Sequence, residues 1–190
     1  MTHIRHRIQT TYPSLAPGFF PVEMIHLDAI PRDDEITGWF HLLASKIHIG
    51  TQYEWLARFA KYNATELELS IERFLPEDSE LFGNLIQPFL KGEGHACRVE
   101  GPFPEPGMEL FTWFRFPIIH LTKSEMRIIS EKEGFIDIMK LTWFCLDPQR
   151  GLPCGRCRPC NLASASGLAN NFYRPTIGDR IEGVVKRLHK

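Results

Sequence analysis

Apolar residues recur at helical spacing in two early stretches of the chain. Ile36, Trp39, Phe40, Leu42 and Leu43 follow Asp33 and Asp34, a pattern that predicts a short amphipathic helix with acidic residues at its start. Thr51 precedes Gln52 to Lys61, in which Tyr53, Leu56, Phe59 and Ala60 share one side, so a second helix capped by Thr51 is expected. Clean alternation then takes over from Glu66 to Glu72, as in a half-buried strand. Val22 to Asp28 is β-compatible, ends near Pro31 and predicts a first strand. Residues 1 to 20, rich in Pro, Thr and Ser, are expected to run irregularly.

Ser79 to Leu90 reads as a further helix. Gly92, Gly94 and the prolines of 102–106 mark a turn-rich connector. Leu110 to Ile119 predicts a strand, because Phe111, Trp113, Phe114, Phe116, Ile118 and Ile119 are aromatic or β-branched. Thr122, with Glu125 three residues on, has the form of a capping box. The helix it opens is expected to run to Glu133 and stop at Gly134. A short closing helix is expected over Ser164 to Asn171. Strands alternating with helices predict an α/β fold.

The cysteines change this picture most. Cys145, Cys154, Cys157 and Cys160 form a C-x8-C-x2-C-x2-C array. Four thiolates so spaced can close a tetrahedron on one Zn²⁺, with Zn–S bonds of about 2.3 Å. Gly155 lets the backbone turn tightly between Cys154 and Cys157. Arg156 and Arg158 put positive charge beside a centre of formal charge −2. With all four ligands supplied by cysteine the metal has no open position, which makes its role structural. The same residues could instead form two disulfides, a Cys-x-x-Cys redox pair, or unrelated free thiols. Cys97 stands apart as a small buried or loop residue.

Composition sets the outer limits. The chain has 190 residues, 43% of them apolar, and a net charge of −1. It is long enough for one domain with a small metal-bound appendage. The boundaries expected are an α/β domain over 1–140, a zinc-binding segment over 141–172 and a tail over 173–190. Balanced charge offers no basis for direct nucleic-acid binding, and no run approaches the length of a membrane helix. The polar start has no signal-peptide pattern. Together with a thiolate–metal site this predicts a reducing, cytoplasmic setting.

Three segments carry a resemblance. Phe116-Pro-Ile-Ile-His-Leu-Thr-Lys-Ser-Glu125, Leu141-Thr-Trp-Phe-Cys145 and Pro153-Cys-Gly-Arg-Cys-Arg-Pro-Cys-Asn-Leu162 resemble the C-terminal half of the 7-cyano-7-deazaguanine synthase family. That family belongs to the queuosine pathway and to the PP-loop ATP-pyrophosphatase superfamily. The resemblance covers about residues 110 to 170. It implies a partial Rossmann-like parallel sheet with flanking helices, and a structural zinc on Cys145, Cys154, Cys157 and Cys160. It also implies conversion of 7-carboxy-7-deazaguanine to the nitrile with ATP and ammonia.

Family members hold ATP on a Ser-Gly-Gly-x-Asp-Ser loop, where small residues let backbone N–H groups reach phosphate. None of the fourteen glycines here is adjacent to another, so that loop is absent from these residues. Phe144 stands where the family has Ser, and Ala163 where it usually has Arg. The zinc scaffold therefore survives better than the ATP site. The resemblance implies a degenerate relative, or one half of a split enzyme whose ATP-binding partner subunit is a separate chain; a homodimer is the other assembly expected. The alternative is a non-catalytic, zinc-stabilised module that binds a nucleobase or a protein, and a third reading is a full synthase with a disguised loop. No catalytic or cofactor-binding residue is assigned. Lys123, Glu125 and His120 read as structural, Asp33, Asp34 and Glu35 as complements to a helix dipole, and the aromatic run 111–116 as core.

Overall fold

The computed structural model describes residues 2–74, 80–169 and 171–174. In chain order it contains helices α1 (Thr2–Thr11), α2 (Asp34–Ala44) and α3 (Gln52–Tyr62). Strands β1 (Leu67–Glu68), β2 (Leu90–Lys91), β3 (Arg98–Val99) and β4 (Phe114–Arg115) follow. Helices α4 (Lys123–Lys132), α5 (Ile136–Met139) and α6 (Arg158–Ala165) complete the set. These elements group into two compact units. One is Glu23–Thr122; the other joins the chain up to Val22 with the chain from Lys123 onward. The tail expected over 173–190 lies outside the described residues beyond Arg174.

Within Glu23–Thr122, α2 begins where the acidic residues predict. Asp33 is extended (φ −146°, ψ 107°), and its side chain accepts the Ile36 N–H at 3.0 Å. The helix buries Ile36 and Leu43 on one face. Lys61, in the last turn of α3, reaches Asp33 at 2.7 Å and Glu35 at 3.0 Å. The Thr37 hydroxyl donates to Glu54 at 2.7 Å, a second tie between the two helices. Helix α3 matches its expected span, but Thr51 does not cap it through its side chain. Thr51 is already in the helical region (φ −61°, ψ −19°).

The α/β character is present, in the form of a small mixed sheet of order β1-β4-β3-β2. Only β1 and β4 run parallel; β2–β3 and β3–β4 are antiparallel. The expected parallel sheet is not what these strands form, because the link from Lys91 to Arg98 is too short for a parallel crossover, which needs a dozen or more residues. The strand expected over 110–119 shrinks to Phe114–Arg115, preceded by a 3-10 turn at Met108–Trp113. Met108, Phe111 and Phe114 are fully buried while Thr112 is exposed, so the first part of the run buries every third residue, the period of a 3-10 turn rather than of a strand. Phe111–Phe114 and Phe114–Phe116 meet edge to face at 6.2 and 6.5 Å, a favoured aromatic geometry.

Three further expectations change. Residues 2–11 are helical rather than irregular, with Ile4 and Ile8 half-buried one turn apart. Val22 to Asp28 is exposed throughout and pairs with no described strand; Leu27–Ala29 is a 3-10 turn. The helix expected over 79–90 has its start, Ser79, outside the described residues. Its remainder is a π-type turn at Glu80–Ile86 and a 3-10 turn at Gln87–Phe89, since Pro88 lacks the N–H that an α-helix requires.

The second unit holds α1, α4, α5 and α6. Helix α4 starts after Thr122 as expected and ends before Gly134, whose φ of +77° suits glycine. The Tyr12 hydroxyl donates to the Gly134 carbonyl at 3.0 Å, fixing the end of α1 to that turn.

The Asp33 contacts yield a stability prediction. Its pairing with Lys61, then its bond from Ile36, holds the carboxyl below its ordinary value. A depressed carboxyl contributes stability above the unfolded pKa and loses it as pH falls through the folded one. Asp33→Ala should therefore cost about 1–2 kcal/mol near neutrality in urea unfolding. Asp33→Asn should cost less, because Asn still caps, and it should flatten the loss of stability below about pH 4. Equal effects of the two substitutions would show that the cap contributes nothing.

Candidate metal centre

The chain leaves α5 and enters the cysteine segment through Trp143, whose indole N–H donates to the Cys145 carbonyl at 3.0 Å. It then doubles back. Gln149 and Leu152 exchange two backbone hydrogen bonds of 2.9 Å, and Arg150 and Gly151 between them have φ of +50° and +77°. Two positive φ values in a two-residue loop are the mark of a tight hairpin. The hairpin returns Cys154 to Cys145, and the Cys154 N–H donates to the Cys145 sulfur at 3.2 Å. Gly155 (φ +71°) makes the next turn, and α6 opens directly after Cys157. Cys160 and Ala163 lie on the buried face of α6.

The result is convergence. The four sulfurs lie within 4.8 Å of one another. Cys154 and Cys160 are 3.9 Å apart, Cys157 and Cys160 3.3 Å. A tetrahedron with metal–sulfur bonds of about 2.3 Å has S···S edges of about 3.8 Å. The donor set therefore fits one ion such as zinc with small adjustments. Cys145, Cys154 and Cys160 are buried, Cys157 half so, and all are free thiols. Among the described residues no other group of His, Cys, Asp or Glu is placed to hold a metal.

Backbone amides prepare part of the site for negative charge. The Arg156 N–H, and then that of Cys157, bring the Cys154 thiol down to about 6. The Leu146 N–H lowers Cys157. Burial pushes Cys160 up to about 12. A Cys154 thiol lowered in this way would suit a first ligand for a cation, whose own charge would favour loss of the remaining thiol protons. Arg156, expected to offset this charge, pairs with Asp147 at 2.6 Å on the surface and is also held charged by Cys154.

Phe144 and Phe172 meet edge to face at 6.5 Å and pack on the sulfur cluster. Phe144 thus helps give the cluster an aromatic cover. Ala163 is buried, and a long cationic side chain there would not fit. The sequence reading missed the hairpin and the Trp143 anchor; the Arg150-Gly151 pair was the available signal for the first. Cys97 is buried in the other unit, where burial raises its thiol. His120 is exposed and borders a cavity of about 500 Å³ with Arg73, Gln87 and Cys97. Lys123 and Glu125 lie in the first turn of α4. Asp33 and Glu35 contact Lys61 and form no metal cluster.

Fold and site define a mixed α/β chain with a four-cysteine cluster able to hold a metal ion. No family model, no characterised protein and no solved structure matches the chain. No described helix is long and apolar enough to cross a membrane.

Two substitutions test the centre. Cys157→Ser should drop bound zinc, measured by atomic absorption, well below one per chain. It should also speed amide exchange over 141–169 while leaving α2 and α3 protected. Full zinc with unchanged exchange would exclude Cys157 as a ligand and with it the four-thiolate centre. Gly155→Ala keeps every sulfur but places a Cβ 3.1 Å from that of Phe172 at a positive φ. The strain, about 1–2 kcal/mol, should weaken zinc affinity roughly 5- to 30-fold in a chelator competition.

Proposed function

We propose that this chain is a zinc-stabilised relative of 7-cyano-7-deazaguanine synthase, binding a 7-deazaguanine-type ligand in the cytoplasm. The observation that carries the reading is the convergence of Cys145, Cys154, Cys157 and Cys160, joined to the Thr142-Trp143-Phe144-Cys145 approach that the family resemblance picks out. In this reading the zinc is structural, because four thiolates leave it no open position. The parallel β1–β4 pair is then the remnant of a Rossmann-like PP-loop sheet.

ATP chemistry requires a phosphate loop, and no two glycines of the sequence are adjacent. The reading therefore gives the ATP site to a partner subunit, with this chain contributing part of the substrate pocket. That same absence favours a second reading, a non-catalytic zinc-stabilised module that retains base binding alone.

Calorimetric titration of the zinc-loaded chain with 7-carboxy-7-deazaguanine, and separately with ATP, tests the assignment. The expected outcome is binding of the base at one per chain and no binding of ATP. Binding of both would mean that this chain carries its own disguised phosphate site. Binding of neither would overturn the family assignment and leave a zinc-locked scaffold.

A further inference from the structure

A cavity of about 320 Å³ lies beside the cysteine cluster, within the same unit. Three stretches wall it. Residues 140–144 lead directly into Cys145; residues 151–153 lead directly into Cys154; residues 167–169 and 171 follow α6, which carries Cys160. Each wall is thus tied to a different sulfur of the candidate centre, so an ion on those sulfurs would fix the shape of the cavity.

The side chains facing it have a distinct character. Trp143 is 58% exposed, yet its polar edge is satisfied inward, through the bond from its indole N–H to the Cys145 carbonyl. An indole so anchored keeps one orientation and leaves its face to solvent, which is what a stacking platform needs. Leu141 and Leu152 are also substantially exposed and supply apolar walls. Asn171 brings an amide. Thr142 donates its hydroxyl to the Met139 carbonyl at 2.7 Å and keeps an oxygen able to accept. Lys140 is the single cation among the described lining residues, and it reaches Asp137 at 3.4 Å.

We infer that this cavity binds a flat heteroaromatic ring system of nucleobase size, stacked on Trp143, and that the metal holds the pocket in shape. Size and charge narrow the ligand class. The volume lies at the small end of ligand cavities, roughly 300–1,000 Å³, which suits one fused ring system. A triphosphate would bring several negative charges to a pocket with one paired lysine, so the ligand is a base rather than a nucleotide. This deepens the function proposed above and rests on it for one of its probes; the cavity, its walls and its indole do not depend on that reading.

The test uses the full chain with zinc content measured in every sample. Adenine, hypoxanthine and 7-carboxy-7-deazaguanine are titrated calorimetrically, with ATP and an aromatic tripeptide alongside. At least one base should bind at one per chain more tightly than ATP or the peptide. Trp143→Ala should weaken it about 10- to 100-fold with zinc retained, and Trp143→Phe should stay within a few-fold. Removing zinc with a chelator should abolish binding. Should Trp143→Ala lose its zinc, the indole N–H resonance of Trp143, assigned by its absence in Trp143→Phe, replaces it and should shift on addition of base.

Wild-type affinity in zinc-loaded Trp143→Ala, an unmoved indole resonance, preference for the peptide, or no base binding at all would each overturn the pocket. The two proposals fail separately. Binding of 7-carboxy-7-deazaguanine that ignores Trp143 would sink the pocket and keep the family assignment. Binding of adenine or hypoxanthine through Trp143, without 7-carboxy-7-deazaguanine, would do the reverse.

Discussion

From Lys123 to Arg174, every buried residue that the structure describes is a cysteine, a serine or an alanine: Ser130, Cys145, Cys154, Cys160, Ala163 and Ser166. No leucine, isoleucine, valine or phenylalanine of that stretch is sealed from solvent. A polypeptide of this size cannot offset its conformational entropy with so little buried apolar surface, and small folds in this position use metals or disulfides. The four sulfurs, once they hold a metal, would do for these residues what a hydrophobic core does elsewhere. The hairpin at 149–152, the left-handed Gly155 and the start of α6 all read as means of bringing sulfur to one point.

The other unit solves the same problem in the ordinary way. Phe111, Phe114 and Phe116 are fully buried with Ile36, Leu43, Ile86, Met108 and Leu110. Its strands are only two residues long, so little of its order comes from ladder hydrogen bonds. Ring packing and the side-chain ties between α2 and α3 fix it instead. Gly107 shows how closely that packing is drawn: a Cβ there would lie 2.5 Å from the Trp39 carbonyl oxygen, at a φ of +98°.

What could be read in the sequence follows this division. Helices α2, α3 and α4 were legible because each is amphipathic, and α2 and α4 also carry a usable signal at one end, Asp33 and Gly134 respectively. The cysteine array was legible because ligand spacing is a local property, expressed within a few turns of chain. Helix α1 was hidden: Pro13 and Pro17 dominate its neighbourhood, and its half-buried face rests on Ile4 and Ile8. The run 110–119 misled because its aromatic and β-branched residues favour a strand, whereas its first part buries Met108, Phe111 and Phe114 at the three-residue spacing of a 3-10 turn. The cavity could not have been read at all, since its third wall exists only where the chain after α6 comes back beside Trp143.

The candidate metal centre and the cavity beside it share stretches of chain. A pocket lined by exposed leucines and an indole gains nothing from solvent contact, and a stretch lacking an apolar core would be expected to close over them. It does not close, because the sulfurs and the Trp143–Cys145 bond hold the walls apart at fixed separation. The open indole face is therefore maintained against the hydrophobic tendency to bury it, and the four clustered sulfurs, once they hold a metal, would be the rigid element that maintains it. A binding surface kept ready in this way spends little affinity on ordering itself when a ligand arrives. The centre then needs no open coordination position to matter for function, since its contribution is the shape it imposes rather than chemistry at the ion.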